Sequence, residues 1–349
     1  MASTDPLARL ASTSSLDDLR QLIGRPGPFL TLVLPTPSDL DDARHRLEVR
    51  WRNARRALEH EWSDDLLGVL DDVAADLPHD AGEAVVVVQD ASGATLVELL
   101  DHGVDADHRS VDPLPRLVTI IENRQRTLPH VVVVTDRAGA DITAFDAGDV
   151  VAAESVEGDT EHIHRGHPGG WSQRRFQQRA ENTWQRNADD VAAAVEQLAH
   201  RVDAVLIAVG GEVRARSLVL DALPASAADR IEPIESGDPD AAADEVLTLL
   251  ADHHARIQRE AIDQLRTGLA NGTAADTDGT PAALVEGRVE TLLVNDDGEE
   301  ESKTGPDHPT PGARLVDATV AEALRTGARI TVVPRSPAMG GPVASLLRW

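Results

Sequence analysis

Residues 130–157 read HVVVVTDRAGADITAFDAGDVVAAESVE and contain three runs of strand-forming residues in close succession. The second run begins after residues 137–139 and the third after Gly148, so each connecting segment is short and contains glycine. Valine-rich runs joined in this way are typical of antiparallel strands connected by hairpin turns. The stretch therefore predicts a three-stranded meander.

Helices and strands alternate after the meander. A polar, glycine-rich segment at 158–173 precedes a helix predicted from Arg174 to Arg201, in which Trp184, Ala188 and Val191 follow helical spacing. The later predicted elements are a strand at 203–211, a helix ending near 218, a short strand at 231–234 and a helix at 239–269. This order predicts an α/β layer.

Shorter α/β patterns flank this layer on both sides. The first includes a buried-strand candidate at 29–34 and a long helix from Ser38 towards Trp62. The last follows a linker-like stretch, NGTAADTDGT, at 271–280. We predict an α/β protein of three domains: an N-terminal α/β domain at 1–128, a central domain at 129–270 and a small C-terminal α/β domain at 271–349.

The composition excludes several classes of protein. The chain of 349 residues has no cysteine, which rules out disulfide scaffolds, thiolate metal sites and thiol nucleophiles. No apolar run approaches the roughly 20 residues that span a bilayer, and the first residues lack the basic end and apolar stretch of a signal peptide. We expect a cytoplasmic protein without membrane contact.

The charge distribution is uneven. The formal net charge of −27 opposes nonspecific coating of nucleic acid, and we expect no DNA partner. Arginines nevertheless concentrate in two segments: residues 44–56 carry six arginines and one glutamate, and residues 162–186 carry five arginines and one glutamate. These basic segments are typical of localised phosphate contact, and solvated helix faces are the equally weighted alternative.

Other candidate motifs have simpler explanations. His162, His164 and His167 have a spacing that suits a transition metal, but no nearby carboxylate would orient them, so solvated or RNA-stacking histidines are favoured. Gly210–Gly211 is better explained as a strand-to-helix turn than as a phosphate cradle, and the DHHA sequence at 252–255 falls inside a predicted helix. We expect no metal and no cofactor.

Residues 166–186, GHPGGWSQRRFQQRAENTWQR, are the stretch most suggestive of function. Two glycines allow close approach of the backbone to a partner, and Trp171, predicted in a loop, is a costly residue to expose unless it stacks on something. The amide of Gln173 and the arginines after it are suited to bases and phosphates. A disordered surface loop is the alternative.

The segment GGWSQRRFQQRAENTW at 169–184 resembles the bacterial branch of the archaeal and eukaryotic class I release factor and Pelota superfamily, which includes ribosome hibernation factors of the Balon type. The resemblance is good over residues 130–349. For the first domain it is limited to position and general α/β character. It implies a three-domain release-factor-like architecture with an RNase H-like central α/β domain.

The resemblance also implies a role for each domain. The N-terminal domain would serve the decoding region, the loop of the central domain would reach the peptidyl-transferase centre, and the C-terminal domain would meet a translational GTPase such as elongation factor Tu. Ribosomal RNA of the A site and peptidyl-transferase centre would then be the partner. The expected RNA-contacting residues are Arg165, Gly169, Gly170, Trp171, Ser172, Gln173, Arg174, Arg175 and Arg179, with Arg52, Arg55 and Arg56 in the first domain.

One departure from the family pattern bears on catalysis. Release factors place glutamine directly after the two glycines, where it organises a hydrolytic water. Here Trp171 and Ser172 intervene, which moves the amide of Gln173 by up to about 7 Å of extended chain. The stop-codon motif of eukaryotic release factors is also absent, so stop-codon-directed release is disfavoured.

Three hypotheses follow. The leading one is a non-enzymatic ribosome-binding factor that occupies the vacant A site of idle or stalled ribosomes. The second is a peptidyl-tRNA hydrolase acting on stalled ribosomes, in which Gln173 alone would be catalytic. The third is an acidic α/β protein without any ribosomal role.

Overall fold

The computed structural model describes residues 16–36, 43–77, 83–104, 106–136, 138–146, 149–157, 171–236, 239–295, 302–306 and 308–349. For residues 43, 149, 171–180 and 239–240, the description concerns the backbone. By contact, the described residues fall into two compact units. We call Arg126–Arg256 the central unit, and Ser15–Gln125 with Ile257–Trp349 the flanking unit.

The helices of the described residues range from short connectors to the 33-residue α7. They are α1 Asp17–Ile23, α2 Ala43–Leu58, α3 Asp64–Asp76, α4 Val118–Arg126, α5 Trp171–Arg201, α6 Val213–Ala222, α7 Pro239–Asn271, α8 Thr280–Val285 and α9 Leu315–Thr326.

The strands of the described residues form three sheets. They are β1 Phe29–Pro35, β2 Ala84–Asp90, β3 Thr95–Leu100, β4 His108–Asp112, β5 His130–Thr135, β6 Gly139–Asp146, β7 Asp149–Glu157, β8 Leu206–Gly211, β9 Ile231–Pro233, β10 Ala274–Ala275, β11 Val289–Val294, β12 Arg329–Val332 and β13 Val343–Leu347.

The central unit contains a five-stranded sheet in the order β7-β6-β5-β8-β9. Its first three strands form the predicted antiparallel meander, whereas β5, β8 and β9 run parallel. Helices α5 and α6 pack on this sheet, and Val191 and Val219 share a core with Val131, Val133 and other strand residues. The expected mixed α/β fold class is confirmed.

The flanking unit contains the other two sheets, in the orders β3-β2-β1-β4 and β10-β13-β11-β12. Strand β1 is buried on both faces because its side chains alternate between two cores. Leu30 and Leu32 pack with α2 and α3, while Phe29 and Val33 belong to a second core. That second core also contains residues of the C-terminal sheet and of α9, so the two ends of the described chain fold together.

A buried glutamine connects these two parts of the flanking unit. Gln125, at the end of α4, is 4% exposed. Its side-chain amide donates to the carbonyl of Ile330 at 2.5 Å and accepts from the N–H of Val332 at 2.9 Å. Among the described strands β12 pairs only with β11, so the amide occupies its outer edge as another strand would.

The structure corrects several predicted boundaries. Helix α2 ends at Leu58 rather than Trp62, and α5 begins at Trp171 rather than Arg174. The predicted linker at 271–280 is folded, since it contains β10 and the start of α8. Its backbone hydrogen bonds to β13 are tertiary interactions that its turn-like composition does not reveal. The three predicted domain boundaries remain a prediction.

We predict that Gln125→Leu lowers the free energy of unfolding of the flanking unit by about 2–4 kcal/mol, because it leaves a carbonyl and an N–H on β12 without their partner. The measurement is urea unfolding followed by circular dichroism. Gln21→Leu, at an exposed position of α1, is the matched control and changes stability by less than about 0.5 kcal/mol. Equal unfolding midpoints for the two variants would contradict the proposed role of Gln125.

Candidate functional site

Helix α5 is longer than the sheet on which it packs. It has 31 residues and therefore extends about 46 Å, whereas a six-residue strand such as β5 extends about 20 Å. Buried side chains of its described part run from Thr183 through Ala188 and Val195 to Ala199. Within the part of α5 whose side chains are described, the packed face thus runs from Thr183 to Ala199.

The first turns of α5 contain much of the predicted RNA-contacting stretch. The backbone of Trp171, Ser172, Gln173, Arg174, Arg175 and Arg179 is helical. Their side chains, and all of Arg165, Gly169 and Gly170, lie outside the part of the chain that the structure describes. Trp171 is therefore the first residue of a helix rather than a loop residue. The predicted roles of these residues in RNA contact remain predictions.

The described part of α5 adjoins α6 through an aromatic and ionic cluster. The guanidinium of Arg214 lies 4.5 Å from the centroid of the Trp184 ring. It also donates to a carboxylate oxygen of Glu181 at 3.2 Å. This arrangement combines a cation–π contact with a charge-assisted hydrogen bond. One turn further along α5, Arg186 is exposed and has no ion pair among the described residues.

The first basic segment lies on α2, and its arginines differ in their surroundings. Arg55 donates to both carboxylate oxygens of Asp71 on α3, at 3.2 and 3.1 Å, and these hydrogen bonds raise its pKa. Arg52 and Arg56 are exposed and make no ion pair within the described part of the chain. Arg55 therefore holds two helices together, while Arg52 and Arg56 are open to a partner.

A cleft of about 390 Å³ lies at the end of β5 from which the chain enters β6. Its lining includes Asp136, Asp141, Glu157 and Glu212, so a phosphate would meet repulsion there. Asp136 accepts hydrogen bonds from the N–H groups of Ala138 and Gly139, at 2.7 and 2.9 Å, and closes a turn. This part of the central unit is thus unsuited to RNA contact.

Gly210 and Gly211, the last two residues of β8, have a packing role. A Cβ atom on Gly211 would lie 1.9 Å from the carbonyl oxygen of Thr135, and its φ of +109° also requires glycine. A Cβ atom on Gly210 would lie 2.4 Å from the carbonyl oxygen of Ser236. The strand-to-helix turn that the sequence favours accounts for both residues.

The remaining motifs supply no further site. His162, His164 and His167 lie outside the described residues, and no group of three or more potential metal ligands occurs within them. The DHHA sequence at 252–255 is in the middle of α7, as predicted. None of the described helices is both long and apolar enough to span a membrane.

The central part of the chain resembles a known family. Residues 129–271 match the model of the bacterial archaeo-eukaryotic release factor family 2. The matched region contains the meander, the segment before α5, α5 itself and all of α7. The resemblance based on residues 169–184 is thereby confirmed at the level of the superfamily.

Several known proteins are similar over most of the chain. The uncharacterized protein Rv2629 of Mycobacterium tuberculosis is 27% identical over 311 residues, which cover 82% of this chain and 80% of that protein. Pelota of Archaeoglobus fulgidus is 15% identical and covers 96% of this chain and 93% of its own, with a TM-score of 0.39. An archaeal Pelota in a model of the ribosome-bound protein with ABCE1 is 15% identical and covers 96% and 94%, with a TM-score of 0.44.

Sequence reasoning missed Arg214 as part of the site. It lies 33 residues from Glu181 and outside both basic segments, so charge counting along the chain does not connect it with α5. A signal was nonetheless present. Arg214 follows the strand of residues 203–211 almost directly, and a helix that starts there packs beside the helix that precedes the strand.

Proposed function

We propose that this protein is a ribosome-binding translation factor that occupies the vacant A site of idle or stalled ribosomes, as hibernation factors of the Balon type do. The observation that carries the proposal is the position of Trp171, Ser172 and Gln173, which directly follow the two glycines in sequence. They form the first turn of α5 and precede Thr183, the first buried side chain in the part of that helix whose side chains are described. The match of residues 129–271 to the bacterial archaeo-eukaryotic release factor family 2 supports the same function.

The charge distribution supports a specific rather than a general RNA contact. The chain carries a formal net charge of −27, and the cleft at the end of β5 is lined by carboxylates. Three exposed arginines make no ion pair among the described residues: Arg186 on α5, and Arg52 and Arg56 on α2. Such a protein binds RNA only where these helices face phosphates, because the rest of its surface repels them.

The proposed partner is the ribosomal RNA of the A site and of the peptidyl-transferase centre. In this proposal the segment before α5 reaches the peptidyl-transferase centre, and α2 faces the decoding region. A translational GTPase such as elongation factor Tu would contact the C-terminal part of the chain. Binding in the A site needs no cofactor and no chemical step.

Hydrolysis of peptidyl-tRNA on stalled ribosomes is the alternative function. It requires the amide of Gln173 to align a water molecule near the ester bond. Gln173 lies in the first turn of α5, separated from Gly170 by Trp171 and Ser172. Because catalysis depends on positioning far finer than this two-residue displacement, the binding function is the better supported of the two.

Substitution of Gln173 by alanine separates the two functions. The binding function predicts that Gln173→Ala retains ribosome affinity within about tenfold, since one amide contact contributes roughly 0.5–1.5 kcal/mol. It also predicts no release of peptide from stalled complexes by the unaltered protein. Peptide release that disappears in Gln173→Ala would establish the hydrolase instead.

We predict that ribosome affinity falls steeply with salt and depends on the start of α5. Replacing Arg174, Arg175 and Arg179 together by glutamine lowers the slope of log K against log salt by roughly 0.7–0.9 for each phosphate that is no longer neutralised. Co-sedimentation with 70S ribosomes over a series of salt concentrations measures this slope. Thermal stability changes by less than about 1 kcal/mol, as is usual for surface positions.

The control for this experiment removes three arginines elsewhere. Arg266, Arg288 and Arg325 form surface ion pairs in the flanking unit. Their joint replacement by glutamine changes the net charge equally and leaves the salt slope unchanged. Unaltered binding by the variant of α5, or equal losses of affinity in both variants, would contradict the proposal that α5 faces RNA.

Trp171 provides a test that does not depend on charge. If the indole stacks on a base, Trp171→Ala weakens binding roughly ten- to a hundredfold, because base stacking contributes about 1–3 kcal/mol. Trp349→Ala is the matched control, since Trp349 is 70% exposed and belongs to the flanking unit. A drop in affinity accompanied by an equal drop in folding stability would instead assign Trp171 to internal packing.

A further inference from the structure

Glu181 is the single acidic residue in the basic segment at 162–186. Helical neighbours three and four positions away are the ones that pair with a side chain on the same helix. For Glu181 these are Gln177, Gln178, Trp184 and Gln185, none of which is cationic. The arginines of α5 therefore do not neutralise this carboxylate by helical spacing.

The neutralising cation comes from α6. Arg214 donates to Glu181 at 3.2 Å, and its guanidinium stacks on Trp184 at 4.5 Å from the ring centroid. Both partners are about half exposed, at 54% for Arg214 and 59% for Glu181. An isolated ion pair at this exposure contributes little to stability because its side chains are mobile. Stacking on the indole restricts the guanidinium and keeps it beside the carboxylate.

We propose that Arg214 is a positioning residue for RNA binding that acts through Glu181, by offsetting the one negative charge in the basic segment of α5. The inference rests on the proposed function, since it assumes that α5 faces phosphates. Arg214 extends the interaction surface from α5 to α6 without contacting RNA itself. The partner that this surface fits is the phosphate backbone of folded RNA.

The size of the effect follows from Coulomb's law. A carboxylate without a paired cation weakens binding about threefold when it lies roughly 6 Å from a phosphate in a medium whose dielectric constant is close to that of water. Arg214→Gln should therefore weaken ribosome binding by about that factor in buffer of low ionic strength. The difference should disappear as salt rises, because the Debye length falls below the distance between the two charges.

A double-mutant cycle tests the mechanism. Four proteins are compared by co-sedimentation with 70S ribosomes: the unaltered chain, Glu181→Gln, Arg214→Gln and the double variant. If Arg214 acts through Glu181, the double variant binds as the unaltered chain does, and Arg214→Gln alone is weaker. Arg214→Lys keeps the charge and retains most of the affinity even where stacking is reduced.

Arg201→Gln is the control for removal of positive charge in general. Arg201 is an exposed residue at the opposite end of α5, and its replacement leaves ribosome binding unchanged. Melting temperatures of all variants exclude unfolding as the cause of weaker binding. Unchanged affinity of Arg214→Gln, or a double variant that binds as weakly as Arg214→Gln does, would overturn the role assigned to Arg214.

A negative result for Arg214 can be distinguished from a failure of the proposed function. If the protein with Arg174, Arg175 and Arg179 replaced by glutamine binds ribosomes normally, α5 does not face RNA and both proposals are wrong. If that variant binds weakly while the double variant of Glu181 and Arg214 binds as weakly as Arg214→Gln, the proposed function stands and only the role of Arg214 is overturned.

Discussion

The parallel pairing of β5 with β8 constrains the whole central unit. Parallel neighbours cannot be joined by a tight turn, so the chain must return along the sheet before β8 begins. It first completes the meander, and β7 ends beside the start of β6, next to the end of β5. Helix α5 then makes the return. Strand β7 therefore ends, at Glu157, at the same end of the sheet as β5 and β8, where Gly211 contacts Thr135.

Local patterns in the sequence predict the elements of this unit well, because each is governed by neighbouring residues. Runs of apolar residues give β5 and β8, and helical spacing of apolar residues gives the described packed face of α5. In the flanking unit, strand β4 was missed because its sequence, HRSVD, has no apolar alternation and is held by pairing with β1. The early start of α5 was missed for a similar reason, since Trp171 and Ser172 follow two glycines and look like loop residues.

The candidate site was predictable in its location but not in its charge balance. The arginines of α5 are visible in the sequence as a cluster. Whether such a cluster is open to a partner depends on residues distant in the sequence, as the pairing of Arg55 with Asp71 shows for α2. The pairing of Glu181 with Arg214 is the opposite case, in which a distant residue leaves the basic segment more positive than its composition suggests.

The flanking unit has a consequence for how the protein folds. The hydrogen bond between Gln125 and Ile330 joins residues 205 positions apart, and the core around it contains residues from both ends of the described chain. Contacts of such long sequence separation slow folding, because the loop between them must close before they form. During synthesis, the first sheet emerges long before α9 and β12 exist. The apolar surface that they cover stays open until α9 and β12 have been synthesised, while the described strands of the central unit are already complete.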